Sequence, residues 1–266
     1  MKGFLLSFQS EFYKSRKTLG FWSAILLPLI LCFFISIGFF VKSENLSKLA
    51  GLNLWFQFAG IALGVMGSLL LPMFTIFLAY SVNSIEHKAD TWKTLFSLPI
   101  SRWAIYSAKY FYAVFLLLMC MGLFALFTIG FGNVLGLLKP EMKFASAHIE
   151  LELFEIYFKL FLSALGILSI QFLLSILWSD FLKPMGIGFV CFIAGVIAVG
   201  TKWEYAYLFP YSHPMVALNS MMKPAKGNAT KEFVIDIFTK DVYVSLAVSA
   251  VVFVIGYFIV LKKSVK

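Results

Sequence analysis

Few side chains in this sequence have types and spacing suited to chemistry. His87, His148 and His213 lie far apart, and Cys32, Cys120 and Cys191 show neither metal-ligand spacing nor a disulfide signature. The cysteines read as small apolar packing residues. His87 as a general base would need a nucleophile beside it in a cleft, and none is signalled. There is no Gly-x-x-x-x-Gly-Lys-Ser/Thr segment and no Gly-Lys dipeptide, so the chain carries no P-loop. No catalytic residue, metal site or cofactor is expected on this chain, and it is not read as an enzyme.

Where charge and aromatic surface do gather is Ile85 to Arg102. Ala89, Trp92, Leu95 and Phe96 fall on one helical face, with His87, Asp90, Lys93 and Thr94 largely elsewhere, and Pro99 ends the helix. The chemistry of such a segment is recognition: an apolar face takes a groove on a partner while Glu86, Lys88, Asp90 and Lys93 pair at its edge. An interfacial loop without a partner is the plainer alternative. His87 reads as solvated or partner-facing. Ser101 is placed to cap the next helix, and Trp103, Tyr106 and Tyr110 suit an interfacial aromatic belt at its entry.

The elements that must position this segment follow from composition. Of the 266 residues, 61% are hydrophobic and 13% charged, with a mean hydropathy of +0.90. Soluble domains carry about 25% charged residues, so the chain belongs in lipid. Disordered, disulfide-stapled secreted and nucleic-acid-binding classes are excluded by the same figures. A helix needs about 20 apolar residues to cross the hydrocarbon core. Six charge-free windows serve: 18–41, 49–85, 110–138, 160–179, 184–201 and 242–261. They predict an all-α integral membrane protein with spans at 19–41, 56–84, 110–135, 160–179, 184–201 and 242–261, forming one domain over 1–266. The first window is too long for a signal peptide and reads as an uncleaved span.

An even number of spans puts both termini on one side. Twelve of the 22 basic residues but four of the 13 acidic ones fall at the termini and the connections sharing their side, close to the spans. The positive-inside effect therefore makes that side cytoplasmic. Phe4, Phe8 and Phe12 recur every four residues, predicting an amphipathic N-terminal helix lying in the inner interface. Gly60, Gly64 and Gly67 in the second window and Gly186, Gly188 and Gly195 in the fifth form small-residue stripes for helix packing or contact with a second subunit. Gln57 and Gln171 read as helix-to-helix hydrogen bonders. On the outer side, 139–159 is mildly acidic, and the aromatic run from Trp203 to Pro214 should sit at the interface or re-enter it, followed by a loop over 224–230. No ionisable residue falls within the span cores, so ion-coupled transport has no machinery here.

The arrangement resembles an ABC-2 type transporter permease, the membrane subunit of an ATP-binding-cassette exporter. The N-terminal helix and the stretch from Glu86 to Arg102 followed by Lys109 carry the resemblance, the latter as the cytoplasmic coupling segment. More narrowly, Ile85-Glu86-His87-Lys88 with Trp92, Leu98-Pro99-Ile100-Ser101-Arg102, Lys183-Pro184-Met185-Gly186-Ile187-Gly188 and Phe209-Pro210-Tyr211-Ser212-His213-Pro214 are similar to permeases of lantibiotic-immunity transporters. Other members often carry Gly-Thr where this chain has Asp90-Thr91.

The resemblance implies a multi-pass protein of the bacterial cytoplasmic membrane. Its partners would be a P-loop ATPase subunit that binds ATP and Mg, a second permease, identical or sister, and membrane lipid, with no nucleic acid. The expected cargo is amphipathic or hydrophobic, such as a lantibiotic-like antimicrobial peptide. A membrane scaffold or sensor that recruits an ATPase is the alternative class.

Overall fold

The computed structural model describes residues 2–46, 51–97, 99–144, 149–221 and 235–262. Among them every regular element is helical. The helices are α1 (Lys2–Ser15), α2 (Leu19–Val41), α3 (Ser43–Leu46), α4 (Gly51–Val65), α5 (Leu71–Ala89), α6 (Trp92–Ser97), α7 (Arg102–Leu138), α8 (Glu150–Leu177), α9 (Leu182–Gly200), α10 (His213–Met221) and α11 (Lys240–Lys262). Six stretches are long and apolar enough to cross a membrane: α2, Gly51–Ala89, α7, α8, α9 and α11.

Local chemistry sets the breaks. Thr18 caps α2 by accepting from the Phe21 N–H at 3.4 Å, so α1 is a separate helix from the first span. Ser101 caps α7 in the same way through the Ala104 N–H at 3.3 Å. Pro72 has no N–H to offer the preceding turn, and the chain answers with a π-helical turn over Met66–Leu70. The second span is therefore α4, a π turn and α5, and not one straight rod.

The central helix is α8, packed against α5, α7 and α11, while α2, α9 and α11 leave most of their surface outward. In lipid there is no water-driven penalty for apolar surface, so packing and interhelical hydrogen bonds hold the bundle. The Tyr110 hydroxyl meets Ser169 Oγ at 2.7 Å and Ser249 Oγ at 2.8 Å, tying α7, α8 and α11. One turn along, Ser245 Oγ donates to the Leu162 carbonyl at 2.8 Å and accepts from the Gly166 N–H at 2.9 Å. Gln171 Nε2 donates to the Tyr211 hydroxyl at 2.6 Å, the helix-bridging use expected of it, whereas Gln57 is exposed. Cys32 and Cys120 are buried and Cys191 is half-buried, all as free thiols. No group of metal-ligating side chains exists among the described residues.

The small-residue stripes divide in two. Gly67 faces Leu218, and a Cβ on Gly188 would meet Gln171 and Ile76. Gly60, Gly64 and Gly186 have nothing within 4 Å of a Cβ position, so this fold uses none of the three for close packing. The tightest backbone approach is at Gly195, where a Cβ would sit 2.8 Å from the Tyr211 carbonyl oxygen. Gly195→Ala is expected to cost on the order of 1–2 kcal/mol. Gly60→Ala meets no obstacle and should leave stability unchanged or slightly raised. Thermal unfolding of both variants in one detergent checks that order.

One expectation needs correction: the acidic outer connection is shorter than 139–159, because Glu150 to Lys159 already belong to α8. Buried ionisable groups flank the predicted windows: Glu86, Lys109, Lys159 and Asp241 each lie one residue outside a window, on helices that span, and are at most 2% exposed. The aromatic run folds back on the bundle through short 3-10 turns at Ala206–Leu208 and Pro210–Ser212, burying Tyr211 but leaving Trp203 and Tyr205 exposed. His213 is buried with Nε2 donating to the Tyr207 carbonyl at 2.9 Å. Burial pushes its pKa down to about 4, so it is neutral at ordinary pH. His148 and the 224–230 loop lie outside the described residues.

Candidate functional site

The ends of α1 and α11, the last turns of α5, helix α6 and the start of α7 meet at one end of the bundle. Arg102 donates to the Leu261 carbonyl at 2.9 Å, capping α11, and Gly3 faces Ile100 and Ala104. Phe4 lies against Phe111, Phe8 against Tyr112 and Phe115, and Phe12 against Phe21. Helix α1 is thus packed along α7 by its phenylalanines, while Leu5, Leu6 and Tyr13 stay exposed on its other side. Ser15 Oγ also hydrogen-bonds the Tyr112 hydroxyl.

Beneath that contact lies a closed ring of four charges. Lys109 Nζ pairs with Glu11 Oε2 at 2.8 Å and Glu86 Oε2 at 2.5 Å, while Lys14 Nζ pairs with Glu11 Oε1 and Glu86 Oε1, each at 3.1 Å. Three of the four side chains are under 5% exposed, and Lys14 is the one that reaches the surface. Buried charges are tolerable when paired and hydrogen-bonded; here every carboxylate oxygen has an ammonium and the ring sums to zero. Burial alone would lower the Lys14 pKa, but the Glu11 and Glu86 carboxylates outweigh it and hold the group above its ordinary value. The ring joins α1, α5 and α7, three elements remote in sequence.

Glu86 is therefore corrected: it faces inward to Lys109 and Lys14 and is not a rim charge. His87 is corrected too: its ring is half-buried and both of its nitrogens are engaged within the chain. Its Nε2 lies 2.8 Å from the Ser175 carbonyl, an acceptor, so Nε2 carries the proton and Nδ1 accepts the Trp92 indole N–H at 3.1 Å. Ser175 is itself tied to α5 by the Asn83 side chain at 2.7 Å. The Trp92 ring faces Lys109, whose Nζ stands 5.7 Å from its centroid. Trp92 is half-buried and connects α6 both to the charge ring and, through His87, to α8.

Two helices form where one was expected. Helix α5 runs to Ala89, and Asp90 then turns left-handed at φ 49°, so Ala89 is not on the face of α6. Both the Asp90 and Thr91 N–H groups return to the Glu86 carbonyl, the latter at 3.1 Å. Glycine is the usual residue at such a helix end, with Asp and Asn the best-tolerated others. Asp90→Gly should be tolerated, whereas Asp90→Val is expected to cost about 1–2 kcal/mol, read from thermal unfolding.

Lys88, Asp90, Thr94, Ser97 and Pro99 are exposed on this segment and Leu95 is half-buried. The side chains of Lys93 and Phe96 lie outside the described residues. What the site offers is an exposed turn and short helix, tethered to the bundle by the Glu86 carbonyl and by Trp92 through His87 and Lys109.

Glu11, Lys14 and Lys109 were not singled out as a site by their spacing. The available signal was Lys109 itself: a cation embedded in an apolar helix requires a counter-charge.

Compared with protein families, the chain matches the model of an ABC-2 family transporter protein over residues 7–195, a stretch that holds the whole charge ring and the Asp90 turn. No curated protein and no solved structure matches it.

Proposed function

We propose, for a chain that belongs to the ABC-2 family of transporter proteins and is thus a membrane permease of an ABC transporter, that it exports an amphipathic or hydrophobic cargo by coupling through residues 86–102. The observation carrying this reading is the ring of Glu11, Lys14, Glu86 and Lys109 directly behind the exposed Lys88–Asp90 turn. The family works with an ATPase subunit. Closure of a pair of such subunits on ATP would press the turn and α6. Lys88, Asp90 and Lys93 would contact the ATPase at the rim, with Leu95 and Phe96 toward its groove and Trp92 passing the displacement to Lys109 and His87. ATP and Mg would stay on the partner, and this chain would supply no catalytic group.

Both termini would face the cytoplasm of a bacterium, with α1 in the inner interface. A second permease, identical or sister, would complete the pathway. Outward helix surfaces rich in Phe, Leu, Ile and Val favour a cargo drawn from the bilayer, such as a cationic antimicrobial peptide of the lantibiotic class.

Purification of the tagged chain in mild detergent tests the assembly. A co-purifying P-loop ATPase is expected, and an additional permease would show a sister-chain arrangement. Recovery of the chain without any ATPase under gentle conditions would contradict the reading and favour a scaffold. Unchanged sensitivity to membrane-active peptides after gene loss would remove the immunity function.

A further inference from the structure

At the opposite end of the bundle from the charge ring, α8 carries a second buried cation. Lys159 is 1% exposed, and its Nζ donates to Ser220 Oγ on α10 at 2.7 Å. The carboxylates of Asp241, at the start of α11, and of exposed Asp236 act on it electrostatically. Asp241 is 2% exposed, and its Oδ2 has no hydrogen-bond partner. A buried ammonium on a neutral hydroxyl beside a buried carboxylate with an unused oxygen is a cation with two competing partners, on two different helices.

Those partners belong to two separate elements, α10 and α11. Helix α10 is nine residues long, and its Leu218 sits in the notch left by Gly67, with 3.1 Å from Leu218 to a Cβ placed there. Gly67 belongs to the π turn Met66–Leu70, the irregular point of the second span. Single π turns inside helices recur at functional sites. Helix α8 reaches from Lys159 to Ser175, whose carbonyl holds His87, so the same helix touches both ends of the bundle.

We propose that Lys159 is a two-position latch: bound to Ser220 it keeps α10 seated on the π turn of the second span, and in a second state it pairs with Asp241 and releases α10. Its role as the outer gate of transport rests on the permease reading. The exchange itself does not, and it is measured on the isolated chain.

The test uses the full-length protein in detergent with Cys32, Cys120 and Cys191 replaced by Ala and Leu218→Cys as reporter. Leu218 is 5% exposed, so a sulfonated maleimide reaches position 218 only when α10 lifts. Ser220→Ala removes the seated partner and is expected to raise the labelling rate about tenfold or more. Ser220→Thr, which keeps the hydroxyl, should stay near the parent rate. Asp241→Asn removes the competing partner and should slow labelling. If both Ser220→Ala and Asp241→Asn speed labelling, or neither changes it, the contacts are static packing and the latch is overturned. Should Asp241→Asn not yield monodisperse protein, Asp241→Glu extends the carboxylate and is expected to raise the rate; an unchanged or lower rate overturns the proposal equally.

Discussion

Replacing Lys109 with Met, which keeps length and removes charge, is expected to destabilise the protein by about 3–5 kcal/mol, the usual cost of stranding a buried counter-charge. The reason is specific to the ring. Glu11 and Glu86 would be left sharing Lys14 alone, at the more exposed side of the cluster. The double variant Glu86→Gln/Lys109→Met should lose less than the sum of its single changes, because Glu11 and Lys14 remain as a neutral pair. Thermal unfolding of the two single variants and the double variant in one detergent measures this coupling. Strict additivity would mean that the four charges do not act as a unit.

Trp92→Ala carries the second large effect, and it concerns coupling more than folding. Trp92 is the half-buried side chain that ties α6 to the bundle, whereas exposed charges contribute about 0–1 kcal/mol each. Trp92 loses its hydrogen bond to His87 and its place over Lys109 together. In proteoliposomes with the ATPase partner, transport per ATP hydrolysed should fall at least tenfold for Trp92→Ala. Lys88→Ala and Lys93→Ala should each lose no more than a few-fold. Equal losses in all three would place the transmission at the segment's surface and remove Trp92 from it.

The spans were legible because a charge-free apolar run of about 20 residues matches the thickness of the hydrocarbon core and exceeds what a soluble core helix uses. Their ends were less so. Helix α8 begins at Glu150, ten residues before its window, since its first turns carry Glu150, Glu152, Glu155 and Lys159 and a charge-free criterion discards them. Buried Glu86, Lys109, Lys159 and Asp241 escaped for the same reason, being excluded from the windows that defined the spans. The break at Asp90 was hidden because Asp is an ordinary helix-face residue until its φ turns positive. At that left-handed turn glycine would sit without strain, and Asp is among the best-tolerated alternatives.

Helical spacing identified Phe4, Phe8 and Phe12 as one face but not what the face meets, and the answer is α7, with Phe21 of α2 at its end. Glycine spacing was a weaker guide. Gly67 and Gly188 lie at close contacts while Gly60, Gly64 and Gly186 do not. Gly132, where a Cβ would collide with the Trp55 ring, has no stripe to announce it. A close approach depends on which large side chain the partner helix brings, and one-helix periodicity holds no information on that.

The central claim is that the ATPase drives this chain through the turn at Asp90. With the three native cysteines replaced, a cysteine at Asp90 carrying a short cross-linker in native membranes should capture the ATPase subunit, with a yield that changes on adding ATP. A cysteine at Trp203, exposed on the far connection, should not capture it. Capture from Trp203, or none from Asp90 while the two proteins co-purify, would contradict the account.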